Sequence, residues 1–391
     1  MIALITFLVI LSVIVLIHEL GHYFAARIFG VKADEFGYGF PPRLIGVVRH
    51  KGKWKIIRRK DEDVYEHTIW SLNWLPLGGF VRIKGEQPDD SFKDNDSKDN
   101  DSFQTKPIWK RIIILSAGVA MNWFLAFILF ATIFTVGAPA FLEGVPAEAK
   151  ILNHEIRISN LLPGSPAEQA GLQAGDQILN IAGFVPENYE QAINKIGEQG
   201  TNPFDIQIKR GDIEQTINVT PVYLKEIDKP GIGIALADVG IVRFGFFQAL
   251  RQAMLATYNY TSAVIIAFGT MLRDLLFLHG LEQDVTGPVG IAVMAGQFAK
   301  QGIMPVLQFA AILSINLAVI NFLPIPALDG GRVLFLVIEK VRRKAIRPKL
   351  EATIHQIAFL SLIILILLVT IRDVGRFGGV IIGGVRHLIG V

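Results

Sequence analysis

Four long runs of apolar residues alternate with polar segments along the chain. They occupy residues 2–29, 112–136, 306–325 and 358–371, the last with apolar flanks from Ile354. A helix needs about 20 apolar residues to cross a bilayer, so each run predicts a membrane span, the fourth being the shortest. A cleaved signal peptide would have an uncharged apolar core of about 7–15 residues. The first run is longer and contains His18, Glu19 and His22, which argues against that interpretation.

Lysine and arginine are distributed unevenly between the connecting segments and predict the orientation of the spans. Eight lie between residues 43 and 60, and six lie between residues 340 and 349. Basic loops remain in the cytoplasm, which places residues 137–304 outside in a four-span topology. A fifth apolar stretch, residues 263–277, contains Arg273 and Asp274. We therefore predict that residues 240–304 form an amphipathic, interfacial helical region that lies on or dips into the outer surface.

Residues 30–85 follow the first predicted span (residues 1–29) and predict β-hairpins, because short apolar strands alternate with Gly and Pro turns. The aromatic side chains of this segment suit a membrane interface; they are Trp54, Trp70, Trp74 and Phe80. The segment is predicted to be a sheet on the cytoplasmic surface or a hairpin that re-enters the membrane and presents a strand edge. Residues 86–107 are dominated by Asp, Ser, Asn and Lys and predict a disordered cytoplasmic loop before the second span, residues 108–136.

Residues 150–223 predict a compact α+β domain. Ile156 and Ile158 alternate as in a strand, and two alternating runs flank Gly211-Asp212, which is a hairpin signal. The run PGSPAEQAGLQAGDQILNIAG resembles a PDZ domain of the bacterial protease type. Such a domain binds peptides by adding a strand to a sheet edge. A small spacer domain without a ligand is the alternative.

Composition limits the chemistry that is open to the chain. Of the 391 residues, 51% are hydrophobic and 19% are charged, against about a quarter charged in soluble domains. There is no cysteine, which excludes disulfides, thiolate metal sites and a cysteine nucleophile. A metal ion must therefore be bound by His and carboxylate. The net charge of +3 is too small to indicate a nucleic acid partner.

The first apolar run contains the pattern HExxH, formed by His18, Glu19 and His22. Residues i and i+4 share one face of a helix, so both imidazoles can reach one ion. Glu19 is then placed to take a proton from an attacking water. Ionisable residues inside a membrane helix are candidates for function. The alternative is a polar patch at a helix–helix interface.

A catalytic zinc site needs a third protein ligand. Pro324 and Pro326 interrupt the end of the third run, and a Gly-Gly pair follows Asp329 directly. The predicted span of residues 305–332 runs from outside to inside, as the first one does. Alone, Asp329 would be interpreted as a carboxylate of a surface turn. The matching depth predicts instead that Asp329 meets His18 and His22 near the cytoplasmic side.

These motifs, in this order, resemble the site-2 protease family of intramembrane zinc metalloproteases. The likeness rests on HELGH, LPLGGFVRIKGE, the PDZ-like segment, TGPVGIA and SINLAVINFLPIPALDGGR, and it covers essentially the whole chain. It implies that His18, His22 and Asp329 bind Zn²⁺ and that Glu19 is the catalytic base. It also implies that the β-hairpins re-enter the membrane and pair with substrate as an added strand.

Further positions either match or depart from the family pattern. Asn316 and Asn321 resemble asparagines that help to hold the unwound substrate. The second span usually carries AGPxxN, and here Val119 replaces the proline while Asn122 is kept; this puts the local helix shape in question. The RseP branch of the family often has two tandem PDZ domains, and this chain has room for one.

The predicted fold is a polytopic α-helical membrane protein with an inserted α+β PDZ domain and a cytoplasm-side re-entrant β-hairpin region. The fourth span is predicted over residues 350–373 and a C-terminal tail over residues 374–391. The chain is expected in the bacterial cytoplasmic (inner) membrane, with the PDZ domain extracytoplasmic. There the PDZ domain would bind peptide termini or another extracytoplasmic ligand.

The resemblance implies a zinc-dependent endopeptidase that cleaves transmembrane segments of single-span membrane proteins in regulated intramembrane proteolysis. Anti-sigma factors and signal-peptide remnants are the expected substrate types. One alternative is a membrane-anchored PDZ scaffold with a non-catalytic metal site, against which the intact Glu19 argues. The other is a transporter with a His/Asp relay, which too few spans and the lack of an internal repeat weaken.

Overall fold

The computed structural model describes residues 2–58, 65–86, 100–224, 229–277, 286–344 and 346–389. The chain divides into a helical unit, Met1–Phe130 with Ala253–Val391, and a β-rich unit, Ala131–Gln252. The helices are α1 (Ile2–Ile28), α2 (Ile108–Val136), α3 (Pro166–Gln169), α4 (Tyr189–Glu198), α5 (Phe246–Leu276), α6 (Pro288–Gln301), α7 (Ile303–Phe322), α8 (Asp329–Arg342) and α9 (Pro348–Ile389). The strands are β1 (Ala33–His50), β2 (Lys53–Ile57), β3 (Ile69–Ile83), β4 (Ala138–Phe141), β5 (Lys150–Leu161), β6 (Gln177–Ile181), β7 (Phe204–Arg210), β8 (Ile213–Val219), β9 (Val222–Leu224), β10 (Lys229–Gly231) and β11 (Ile234–Arg243).

The four predicted apolar runs are confirmed as long helices. By length and composition, α1, α2, α7 and the stretch Lys349–Arg376 of α9 can each cross a membrane. The third of them ends at Phe322, earlier than predicted, because Pro324 cannot continue a helix and disfavours helical backbone at the residue before it. α9 continues to Ile389, through most of the segment predicted as a C-terminal tail, since no proline or charge cluster interrupts it there.

The segment after α1 forms the predicted β-structure. β3 pairs with both halves of β1, so that Gly37 lies opposite both Ser71 and Phe80. The order of the strand segments is β2, second half of β1, first half of β3, first half of β1, second half of β3. The second half of β3, residues 79–83, is therefore an edge of this sheet among the described residues. It lies against α1.

The region between the β-rich unit and α7 differs in detail from the predicted interfacial helix. α5 is a single helix of 31 residues, and its Thr261 accepts a hydrogen bond of 3.2 Å from the Trp123 indole near the middle of α2. The rings of Phe130 and Tyr260 also stack, with centroids 5.4 Å apart. α5 therefore extends alongside α2 to the middle of that helix. α6 packs on α1, with Gly296 against Ala3.

The C-terminal part of the predicted disordered loop is ordered. Residues 87–99 of the loop lie outside the described residues, but residues 100–107 are ordered and include a short 3-10 helix, Phe103–Thr105. Phe103 is buried beside Ile83 and Ile114, and its backbone N–H donates to Lys84 O at 2.9 Å. The prediction was wrong for these residues because one buried aromatic ring anchors an otherwise polar segment.

The β-rich unit contains a six-stranded antiparallel sheet of order β4-β11-β5-β6-β7-β8. The predicted strand through Ile156 and Ile158 and the predicted hairpin at Gly211 are both confirmed. The sheet is wider than the predicted domain of residues 150–223, because β4 and β11 join it from outside that range. β11 ends at Arg243, so the first residues of the predicted helical region 240–304 are strand.

Candidate metal centre

Two histidines and one aspartate converge in the helical unit. His18 Nε2 and His22 Nε2 lie 3.0 and 3.4 Å from Asp329 Oδ2. The two Nε2 atoms are 3.2 Å apart. Both histidines are buried, and the Asp329 side chain is 21% exposed. The predicted cluster is therefore present as a compact set of three ligand atoms, the kind of group that can hold a metal ion.

Local backbone geometry brings Asp329 to this point. α7 ends at Phe322, and Asp329 is the first residue of α8. A Cβ on Gly330 or Gly331 would lie closer than 3 Å to the carbonyl oxygens of Phe322 or Ile325, respectively. Both positions therefore require glycine, because the first turn of α8 packs directly on the end of α7 and on the loop.

The donor set fits a zinc ion. The lone pairs of two neutral imidazoles and a carboxylate repel one another unless a cation or protons lie between them, and Asp329 Oδ2 is buried without a hydrogen-bond partner among the described residues. Zn²⁺ binds His nitrogen and carboxylate oxygen at about 2.0–2.2 Å in a tetrahedron, so neighbouring ligand atoms are about 3.3–3.6 Å apart. The observed separations of 3.0–3.4 Å are within about 0.3 Å of that range.

Buried groups on α2 orient both imidazoles. His22 Nδ1 is 2.9 Å from the Ile114 carbonyl oxygen, so Nδ1 carries the proton and Nε2 is left free to bind metal. His18 Nδ1 is 3.3 Å from the Asn122 side-chain amide, whose Oδ1 has no partner among the described residues. Oxygen and nitrogen of an amide are interchangeable by rotation. With the amide turned, Asn122 Oδ1 accepts the His18 Nδ1 proton and frees Nε2 in the same way.

Glu19 is held by the edge of the sheet. Its Oε2 accepts a hydrogen bond of 3.0 Å from the backbone N–H of Val81. Val81 belongs to the edge segment of β3, and Gly79 lies against the Glu19 side chain. The carboxylate next in sequence to the first ligand is thus fixed by the segment predicted to contact substrate.

The two asparagines predicted to bind substrate lie in different places. Asn321 Nδ2 is 3.5 Å from His18 Nε2, so this side chain reaches the cluster. Asn316 is half-buried on α7, five residues earlier. Five residues rotate by about 140° around a helix, so the two side chains cannot share one face. The structure brings Asn321, and not Asn316, to the cluster.

Glycines permit the close approach of α2 to the cluster. A Cβ on Gly118 would lie within 3 Å of both imidazoles, and a Cβ on Gly21 would meet the Ala117 carbonyl. In the sequence, Ala117–Asn122 stand out only as a family motif with a substituted proline. The signal that could have identified their role is a glycine and an amide four residues apart in the uncharged apolar run of residues 112–136.

Comparisons with known proteins agree with this centre. The model of peptidase family M50 matches residues 6–59 and 61–365. The chain is 33% identical to the Clostridium perfringens protein CPE1693, covering 93% of this chain and 96% of that one. It is 30% identical to the regulator of sigma-W protease RasP of Bacillus subtilis, covering 95% and 98%.

Among solved structures, the PDZ domain of the SdrC-like protein of Listeria monocytogenes is 25% identical, with a TM-score of 0.21. The match covers 22% of this chain and 92% of that domain. The family model extends over nearly the whole chain and includes the HExxH helix and Asp329. The protein is therefore a multi-pass membrane zinc metalloprotease that belongs to peptidase family M50.

Proposed function

We propose that this protease cleaves transmembrane segments of single-span membrane proteins, with His18, His22 and Asp329 as the zinc ligands. The observation that carries the proposal is that His18 and His22, on a helix apolar enough to cross a bilayer, meet Asp329, which follows the end of a second such helix, α7. A centre built into such helices acts on peptide bonds that are themselves in or near the membrane. Anti-sigma factors and signal-peptide remnants are substrates of this kind, and their cleavage would be regulated intramembrane proteolysis.

The chain's own residues divide the chemistry between them. Zinc, when bound, supplies a Lewis acid that polarises the scissile carbonyl and acidifies water. Glu19, held by the Val81 N–H, takes the proton of the attacking water and passes it to the leaving amine nitrogen. Asn321, beside His18, donates a hydrogen bond to the substrate backbone.

The edge of β3 is the proposed binding site for the unwound substrate. In an antiparallel ladder, each residue directs both backbone groups toward the same neighbouring strand. Since Val81 N–H points to Glu19, the Val81 carbonyl also points away from Phe36, its partner in β1. A helical substrate hides its carbonyls in internal hydrogen bonds. Pairing with this edge holds it extended, beside the base.

The bend of this sheet is proposed to re-enter the membrane from the cytoplasmic side. Four large apolar side chains there are about half exposed or more: Phe40, Leu44, Trp74 and Leu75. Exposed apolar surface of this kind marks contact with a membrane or a partner. Because the sheet packs along α1, the first span, contact with lipid accounts for these exposed apolar side chains.

Single-cysteine labelling tests this topology, because the chain has no cysteine of its own. We expect a membrane-impermeant maleimide added to spheroplasts to label Asp212→Cys, in the exposed β7–β8 turn. Lys344→Cys should react only after the membrane is opened, and Trp74→Cys should remain protected. If Trp74→Cys reacts as fast as Lys344→Cys in opened membranes, the sheet lies on the surface.

Removal of the carboxylate ligand should abolish tight zinc binding. We expect Asp329→Ala to retain less than a tenth of wild-type zinc against a chelator, because two ligands cannot complete a catalytic site. Zinc content of purified protein measures this, with Asp274→Ala on α5 as a matched control. Unchanged zinc stoichiometry in Asp329→Ala would remove Asp329 from the ligand set.

The β-rich unit is proposed to be an extracytoplasmic PDZ domain that binds peptide. β11 pairs with β4 only from Val239 onward, and the Asp238 carbonyl accepts a hydrogen bond from Leu142 N–H, so residues 234–237 of β11 have one free edge among the described residues. A groove of about 440 Å³ lies along this edge. It is lined by α4, including Ile193 and Gly197, and by the segment Gly231–Gly233. An extended peptide can pair with the strand while its side chains contact α4.

Peptide binding should depend on the apolar wall of this groove. We expect Ile193→Glu to weaken binding of a peptide with a free apolar C-terminus at least tenfold, because the charge would face an apolar ligand. Fluorescence titration of the full chain in detergent measures it, with the amidated peptide for comparison. Ile213→Glu is the control, because Ile213 is also an exposed isoleucine and lies on β8 away from the groove. Equal affinities for both variants would contradict the assignment.

A further inference from the structure

His355 on α9 contacts the loop that leads to Asp329. Its Nδ1 accepts a hydrogen bond of 2.8 Å from the backbone N–H of Ala327, two residues before the aspartate. The contact joins the fourth span to the segment between α7 and α8. The rest of this segment bonds within itself, for example through Leu328 N–H to the Ile325 carbonyl at 3.2 Å.

Ala327 is the strained position of this loop. Its φ is +81°, in the left-handed region that favours glycine. Such a conformation persists only where surrounding contacts over-determine it. The backbone on the C-terminal side is locked by the close packing of Gly330 and Gly331. The bond to His355 supplies the corresponding constraint on Ala327 itself.

The position and the tautomer of the His355 imidazole are both fixed by its contacts. The Phe335 ring on α8 packs against it with centroids 5.4 Å apart. Since Nδ1 accepts, the proton is on Nε2, which is buried without a hydrogen-bond partner among the described residues. A buried unpaired N–H is unfavourable. An apolar residue would serve better if packing were the only function of this position.

We propose that His355 is a positioning residue for the metal centre: by binding the Ala327 amide, it holds the loop in the conformation that directs Asp329 Oδ2 toward His18 and His22. This inference rests on the proposed function, in which Asp329 binds zinc. Groups that orient a metal ligand commonly change metal affinity 10–100-fold when removed. His355 acts one step further out, through the backbone rather than through the carboxylate.

α9 has a second buried polar contact that provides a control. The Asp373 carboxylate accepts hydrogen bonds from Gly290 N–H at 2.8 Å and Gly287 N–H at 3.2 Å, at the start of α6. It lies 18 residues along α9 from His355. Loss of this contact loosens α9 without touching the Asp329 loop. Comparing variants of His355 and Asp373 therefore distinguishes an effect on the position of Asp329 from a general effect on the packing of α9.

The experiment compares zinc retention of the full-length protein in detergent during titration with a chelator. His355→Asn keeps an acceptor near the place of Nδ1, and His355→Leu has a similar shape but no acceptor. We expect His355→Leu to bind zinc 10–100-fold more weakly and His355→Asn to stay within about threefold of wild type. Asp373→Leu should lower the melting temperature while its zinc affinity is unchanged.

Three results would overturn the inference. They are wild-type zinc affinity in His355→Leu, equal losses in His355→Leu and His355→Asn, and a loss in Asp373→Leu equal to that in His355→Leu. Failure of the proposed function has a different signature. In that case the wild type itself binds no zinc, or Asp329→Ala binds zinc as tightly as the wild type.

Discussion

Glu19→Gln is expected to lose cleavage of a single-span model substrate by about 10²–10⁴-fold, the usual contribution of a general base. The amide cannot take a proton from water, but its oxygen can still accept the Val81 N–H bond. Zinc content should stay at the wild-type level, because Glu19 is not one of the three converging ligands. Metal analysis and gel-based cleavage on the same preparation measure both quantities.

The control for this variant is the same substitution at an exposed carboxylate, Glu148→Gln in the β-rich unit. It should cleave as the wild type does. Glu19→Asp keeps the carboxylate on a side chain that is one methylene shorter. Its cleavage rate should therefore lie between the rates of Glu19→Gln and the wild type. Retained cleavage in Glu19→Gln would refute the base assignment, and loss of zinc would show that Glu19 supports the metal.

Gly118→Ala is expected to weaken zinc binding and cleavage together, on the order of 10–100-fold, as overpacking by about 1–3 kcal/mol implies. The added Cβ would lie within 3 Å of the imidazoles of His18 and His22. One or both rings must therefore move from the positions that face Asp329. Zinc retention against a chelator, with cleavage at saturating zinc, measures the effect.

Gly269→Ala on α5 is the matched control for this substitution. It makes the same change in a helix of the same unit, where an added Cβ meets nothing within 4 Å. We expect it to be neutral or slightly stabilising, since alanine favours helix over glycine by about 1 kcal/mol. If Gly118→Ala binds zinc as tightly as Gly269→Ala does, α2 can move away from the cluster and the close approach is not required.

Much of the site could be predicted because its signals are local. The spacing of His18 and His22 places them on one helical face whatever surrounds them. The prolines before Asp329 and the glycines after it mark a break at the end of an apolar run. The spans follow from apolar length alone. Convergence of the three ligands was a hypothesis based on depth, and the structure places them 3.0–3.4 Å apart.

Other parts of the site carry no sequence signal, because backbone groups make the contacts. The carbonyl of Ile114 orients His22, and the N–H groups of Val81 and Ala327 bind Glu19 and His355. Every residue type except proline offers the same backbone N–H and C=O groups, so no pattern of side chains identifies which of them will be used. The sequence also does not predict that β4 and β11 belong to the same sheet as β5, because strands distant in sequence pair through their backbone groups.

The apolar helices, the ligand types and the helical face that carries two of the ligands follow from the order of the residues, because length, composition and periodicity are properties of neighbouring residues. Which asparagine reaches the cluster, which glycines allow α2 to approach and which strand edge holds Glu19 depend on how the chain packs. These depend on contacts between segments up to about 300 residues apart, such as Asn321 with His18. Such contacts form only when separate helices and strands pack together.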